Sequence, residues 1–170
     1  MALLVSHRSR IPAPVPVVWE VVADPFRRPE WMAGVTGVHG EPPPAKPCLA
    51  EQRFTLEGWA GLWRFTAREK VTAVWPGTMV AFHGETGPAS YLLTFTLSEL
   101  GGEHTSLVWN MEVRPAHAPP SLLTRLALRL VRWAADRLAR RSLANLRTCL
   151  KQGPGGGMGK YGADNAIAGE

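Results

Sequence analysis

The apolar positions of the chain change period several times, and each change marks an element. Leu4 to Ile11 alternates apolar with polar residues, the signature of a half-buried strand. Pro12, Pro14 and Pro16 break that alternation, and Val15, Val18, Trp19 and Val22 then recur at helical spacing. Pro14 or Pro16 suits a first helical turn, where a backbone N–H has no intrahelical partner anyway. Asp24-Pro25 ends this helix, because a residue preceding proline avoids the α region. Phe26 to Met32 predicts a second short helix with Trp31 on its buried side.

From there the pattern is one of strands. Val35 to His39 predicts a short strand, Glu41 to Pro47 a loop, and Leu49 to Leu56 a strand closed by Glu57-Gly58. Trp59 to Trp75 is the longest alternation. It puts Trp59, Leu62 or Trp63, Phe65, Ala67, Val71, Ala73 and Trp75 on one face and Arg64, Thr66, Arg68, Lys70 and Thr72 on the other. Met79 to Glu85 follows the turn Pro76-Gly77. After the turn Gly87-Pro88, Tyr91, Leu93, Phe95 and Leu97 form the next apolar row. Leu107, Trp109, Met111 and Val113 form the last, beyond the turn Gly101-Gly102. The result is a meander of antiparallel hairpins, each half-buried on one face.

Pro115, Pro119 and Pro120 stop the meander, and Ser121 to about Lys151 predicts a single long helix with Ser121 as N-cap. Leu122, Leu123, Leu126, Leu130, Trp133 and Ala134 share one face of its first half. Beyond Asp136 the apolar stripe moves round to Ala139, Leu143, Leu146 and Leu150, which predicts a bend or a second half packed on a different element. Residues 153–170 lack the apolar content to fold and read as a disordered tail. The chain thus divides into a domain over 1–152 and a tail over 153–170, with no internal repeat.

Composition sharpens this picture. A chain of 170 residues makes one domain large enough to enclose a cavity, and seven tryptophans supply bulky walls for a core or a flat ligand. No apolar run approaches a membrane span and no signal-peptide pattern opens the chain, so a cytoplasmic protein is expected. Cys48 and Cys149 stand alone and far apart, which points away from a zinc site or disulfide framework. The net charge of +5 is concentrated: Pro120 to Lys151 carries eight basic residues against one acid, Asp136. Aromatics are not interleaved with the exposed basic residues, so no nucleic-acid partner is expected.

The segment Ile11 to Trp31 resembles the START/Bet v 1-like superfamily, in particular its polyketide cyclase/dehydratase branch. The resemblance rests on Ile11, Ala13 and Pro14 at the strand end, Val18-Trp19, Asp24 at the helix end, and Pro29 and Trp31 on the second helix. It extends over about residues 3–152. It implies an α+β helix-grip fold, in which a curved antiparallel sheet and two short helices wrap a long C-terminal helix around a cavity. In cyclases of this branch an arginine on the strand equivalent to Trp59–Trp75 anchors the ligand. Here Glu69 takes that place in ungapped register, and Arg68 would take it after a one-residue shift. The ring such cyclases carry just before Pro29 is replaced by Arg28.

Glu69 is the sharpest chemical signal. Strict alternation puts its carboxylate among Phe65, Ala67, Val71 and Ala73, where burial disfavours the charged form and suits a general acid or base. A β-bulge at Arg68-Glu69-Lys70 would instead turn it to solvent. His83 is the second candidate, in step with Met79 and Ala81, although Val80 and Phe82 form an equally good inward set. Trp31, Trp63, Phe65, Tyr91, Phe95, Trp109 and Trp133 are the expected ligand-lining residues. No motif calls for a cofactor or metal.

These observations predict a domain that binds a small hydrophobic molecule, aromatic or polyketide-like, in an internal cavity. If it is an enzyme, the expected reaction is cofactor-free cyclisation or dehydration, with Glu69 or His83 moving a proton. The rival readings are a non-catalytic carrier of lipids, quinones or sterols, and a protein-docking module of the co-chaperone type. Arg125, Arg129 and Arg132 either solvate the helix or dock an acidic partner, such as an acyl carrier protein or anionic lipid.

Overall fold

The alternation beginning at Leu3 builds a seven-stranded antiparallel sheet whose first and last strands lie side by side. A computed structural model describes residues 3–40, 50–87, 89–115 and 122–152. The strands are β1 (Leu3–Ile11), β2 (Val35–His39), β3 (Arg53–Ala60), β4 (Trp63–Trp75), β5 (Met79–Thr86), β6 (Ala89–Glu99) and β7 (Thr105–Pro115). Their order across the sheet is β1-β7-β6-β5-β4-β3-β2. The chain therefore leaves β1, crosses to the far edge, and returns hairpin by hairpin until β7 pairs with β1.

Two short helices make that crossing. In α1 (Val15–Val22), Pro14 is the N-cap, and its carbonyl accepts the N–H groups of Val17 and Val18. Val18, Trp19, Val21 and Val22 are its buried side chains. A single 3-10 turn, Pro25–Arg27, starts where the Asp24 carboxylate accepts the Phe26 N–H at 2.9 Å, and leads into α2 (Arg28–Trp31). Trp31 is buried as expected; Arg28, also on α2, is buried with it.

The long helix α3 (Leu122–Gln152) packs on β1 and α2. Among its described side chains Ala139, Leu143 and Leu146 are the buried apolar ones, and they belong to the stripe that the sequence placed after Asp136. Polar bonds fix it at both neighbours. The Ser142 hydroxyl accepts the Ala33 N–H at 3.0 Å, His7 Nε2 meets Asp136 Oδ1 at 2.8 Å, and Arg147 Nε donates to the Arg10 carbonyl at 3.2 Å. The first half behaves differently from expectation: Trp133 and Ala134 are exposed. The expected N-cap Ser121, the loop over 41–47 and the tail over 153–170 lie outside the described residues.

Two strand boundaries also differ from the pattern. Glu57-Gly58 does not end β3, which continues to Ala60, so Trp59 belongs to β3 and β4 begins at Trp63. Gly58 is needed for contact rather than for turning. A Cβ there would lie 2.0 Å from the Gly34 carbonyl oxygen and 2.9 Å from the Phe65 ring. Only glycine allows β2, β3 and β4 to close at this point. In β4 the register slips between Val71 and Ala73, placing a β-bulge at Thr72. Beyond it the faces exchange, and Trp75 is exposed.

The inner face of the sheet is aromatic. Phe54, Phe82, Phe95 and Trp109 follow one another from β3 to β7 in edge-to-face contact, with ring centroids 6.0, 6.2 and 5.0 Å apart. Trp31 of α2 closes over Phe95 and Trp109 at 5.7 and 6.2 Å. Each such ring, taken out of water, contributes on the order of 1.5–3 kcal/mol, and well-placed ring pairs add somewhat more.

Candidate functional site

Strand pairing lays Phe54, Glu69, Gly84, Tyr91 and Val113 in one row across five strands. Because the bulge in β4 falls at Thr72, three residues after Glu69, the alternation holds through Glu69 and its carboxylate faces inward. Arg68 faces outward, where its guanidinium lies 3.6 Å from Glu85. The Glu69 side chain is wholly buried.

Gly84 then shapes the row. A Cβ at this position would stand 2.2 Å from Tyr91 Cζ and 2.5 Å from its hydroxyl oxygen. The missing side chain lets the Tyr91 ring lean across β5 toward β4. There the phenol donates to Glu69 Oε1 at 2.5 Å. Burial, and secondly the Glu69 charge, raise the Tyr91 pKa, so the phenol keeps its proton and remains a donor.

The other carboxylate oxygen is met from above. Arg28 Nη1 donates to Glu69 Oε2 at 2.6 Å, both side chains being wholly buried. The guanidinium is cradled by rings, its Cζ 4.1 Å from the Phe82 centroid and 5.3 Å from that of Phe54. A planar, weakly hydrated cation suits such an aromatic bed better than an ammonium would. Arg28, Glu69 and Tyr91 thus form one buried polar group in an otherwise apolar face.

That group is unfinished. Arg28 Nε and Nη2, Trp31 Nε1 and Trp109 Nε1 are buried without a hydrogen-bond partner among the described residues. All four atoms are donors, and their side chains lie on the continuous ring patch from Phe82 through Phe95 to Trp109. A buried N–H left unpaired costs on the order of 1–3 kcal/mol, which an acceptor-bearing ligand would recover. Among the described residues no group of His, Cys, Asp or Glu is arranged to hold a metal ion.

The residues named from sequence divide accordingly. Glu69, Trp31, Tyr91, Phe95 and Trp109 are buried on the inner face, and Phe65 is half-buried beside them. His83 is exposed, opposite Lys70 and Leu92 on the outer face, and does not join Glu69. Val80, Phe82 and Gly84 are the inward set of β5 instead. Trp133 is 59% exposed on α3, apart from the buried residues of the inner face. The side chains of Trp63 and Arg125 lie outside the described residues; Arg129 and Arg132 are exposed.

Arg28 is the residue that sequence reasoning did not assign. The structure brings it from α2 onto the Glu69 carboxylate as a buried ion pair.

A search of curated proteins by sequence found no match. Solved structures share the fold at low identity. An aromatase/cyclase from Streptomyces sp. R1128 superposes with a TM-score of 0.76 at 16% identity, covering 92% of this chain and 99% of its own. A START superfamily protein from Mycobacterium smegmatis gives 0.72 at 14% identity, covering 88% and 97%. The di-domain aromatase/cyclase BexL of the BE-7585A biosynthetic pathway gives 0.69 at 18% identity, covering 89% of this chain and 48% of that one. The helix-grip expectation is thereby met. Residues 3–151 match the family model described as polyketide cyclase/dehydrase and lipid transport, and the chain belongs to that family.

Proposed function

We propose that the chain binds a neutral, largely apolar molecule carrying ketone-type oxygens against the inner face of the sheet, and moves a proton on it through Glu69. The observation that carries this reading is the set of unpaired buried donors on Arg28, Trp31 and Trp109, adjoining a buried carboxylate. A carbonyl oxygen accepts from the free N–H groups of Arg28, which orients the neighbouring C–H toward Glu69.

In this reading Glu69 takes a proton from the carbon next to the carbonyl, and the electron pair of that C–H bond passes to the oxygen as an enolate. Charge is moved rather than created: the carboxylate becomes neutral as the enolate forms against the same guanidinium. Tyr91 holds Glu69 in place as a donor. Where a hydroxyl stands β to the carbonyl, the proton on Glu69 leaves with it as water, completing a dehydration. Where a second carbonyl lies within reach, the enolate carbon bonds to it and the proton goes to the new alkoxide, completing a cyclisation. Neither sequence requires a cofactor. The carrier reading keeps the binding step and omits the proton transfer.

The test uses an aryl β-diketone in deuterated water. Binding is followed by tryptophan quenching, and exchange of the acidic C–H by proton NMR. Exchange faster than in buffer, lost in Glu69→Gln with binding retained, supports the reading. Should Glu69→Gln not fold, Tyr91→Phe serves in its place and is expected to slow exchange. Binding with no exchange above buffer would leave a carrier, and absence of binding would remove the site altogether.

A further inference from the structure

The exposed side of α3 carries charge of one sign. Arg129, Arg132, Arg137, Arg140, Arg141, Arg147 and Lys151 are all exposed, and Asp136, the acid among them, is half-buried between His7 and Arg140. A helix face that only meets water normally mixes signs, since like charges four residues apart, as in Arg137 and Arg141, cost a few tenths of a kcal/mol per pair. In the middle of this face Trp133 stands 59% exposed, with the Arg137 guanidinium 5.7 Å from its ring.

A second protrusion belongs to the same end of the domain. Arg147 bonds to Arg10 and Asp136 to His7, so α3, followed backwards, runs toward the start of β1. Leu3 at that start lies in the row Val113, Tyr91, Gly84 and Glu69, and the β3–β4 hairpin runs on past this row on the same side, β4 beginning at Trp63. A Cβ on Gly34 would touch both the Trp59 carbonyl oxygen and the Leu138 side chain, so the hairpin abuts α3 there. At its tip Leu62 is 93% exposed, and Trp59 is 49% exposed.

We propose that this end of the domain docks on an anionic membrane surface. Leu62 and Trp133 enter the headgroup region while Arg129, Arg132 and Arg137 meet lipid phosphates. Tryptophan and leucine beside arginine suit an interface that is apolar below and charged above. An acidic protein would answer the arginines equally well. It would, however, need a shaped surface around Leu62 and Trp133, which stand on separate elements as isolated protrusions. A bilayer accepts them without shape complementarity. The proposal depends on surface residues alone and stands apart from the chemistry at Glu69.

Flotation of the full chain with phosphatidylcholine vesicles, with and without phosphatidylglycerol, tests it. The expected result is flotation with phosphatidylglycerol present, weakened by added salt. Arg129→Ala and Arg132→Ala should each lower partitioning about fivefold. Leu62→Ser and Trp133→Ser should lower it further at fixed salt, with unchanged thermal melting. Failure to float with anionic vesicles, equal flotation of all variants, or capture by an acidic carrier protein without vesicle binding would each overturn it.

Discussion

Arg28 and Glu69 lie 41 residues apart in the chain and meet across 2.6 Å with both side chains wholly buried. The same carboxylate accepts the Tyr91 hydroxyl, so three elements, α2, β4 and β6, converge on one charge. Removing one member of such a pair strands the other in an apolar bed. Arg28→Met and Glu69→Leu should therefore each cost about 3–5 kcal/mol in urea unfolding. The double variant should recover most of that loss, because the volume is refilled without an orphan charge. Additive losses in the double-mutant cycle would show that the two residues act independently.

Gly84 is the second point of leverage. Gly84→Ala puts a methyl group inside the space of the Tyr91 ring and should lower stability by about 1–3 kcal/mol, while disturbing the bond to Glu69. In a Tyr91→Ala background the same substitution meets no ring, so its cost should largely vanish. Denaturation midpoints of the four proteins decide this. An equal cost in both backgrounds would place the clash elsewhere.

Most of the fold was legible because alternation and turn residues agree over long stretches, as from Met79 to Val113. The misplaced β3–β4 turn has a physical cause. Gly58 looks like a terminator, yet it serves the close approach of Gly34, and the true turn at Gly61-Leu62 is hidden in an apolar run. Glu69 was readable because the bulge lies beyond it at Thr72. His83 was not, since Val80, Ala81 and Phe82 form a continuous apolar run that fits either parity. Arg28 sits on a four-residue helix, too short for periodicity to assign a face. Only its charge, opposite to that of Glu69 and 41 positions away, could have paired the two.

Tyr91 gives a pH signature. Burial, then the Glu69 charge, raise its pKa above the ordinary 10.0. An acid whose folded pKa is raised binds its proton more tightly in the native state. Its contribution is therefore complete below pH 10 and is lost as pH rises beyond it. Above that point stability should fall by about 1.4 kcal/mol per pH unit. The chain contains two tyrosines, so ultraviolet titration should show one that ionises only on unfolding. Tyr91→Phe should abolish that phase. A phenolate signal from Tyr91 near pH 10 in the folded protein would contradict the buried bond.

The ion pair also predicts which ligands are accepted. Glu69 already answers the Arg28 charge within the protein, whereas the remaining donors on Arg28, Trp31 and Trp109 lack acceptors. A ketone oxygen satisfies these donors and adds no charge. A carboxylate would set a second anion beside the buried Glu69 side chain, and like charges among apolar side chains repel strongly. A neutral aryl ketone should accordingly bind at least about tenfold more tightly than the matched aryl carboxylate, a difference of about 1.4 kcal/mol. In Glu69→Gln the guanidinium loses its counter-charge, and the preference should reverse toward the carboxylate. Tryptophan quenching by the two ligands, in both proteins at neutral pH, measures the four affinities. Equal affinities in the unaltered protein, or no reversal in Glu69→Gln, would show that Glu69 does not filter ligands by charge.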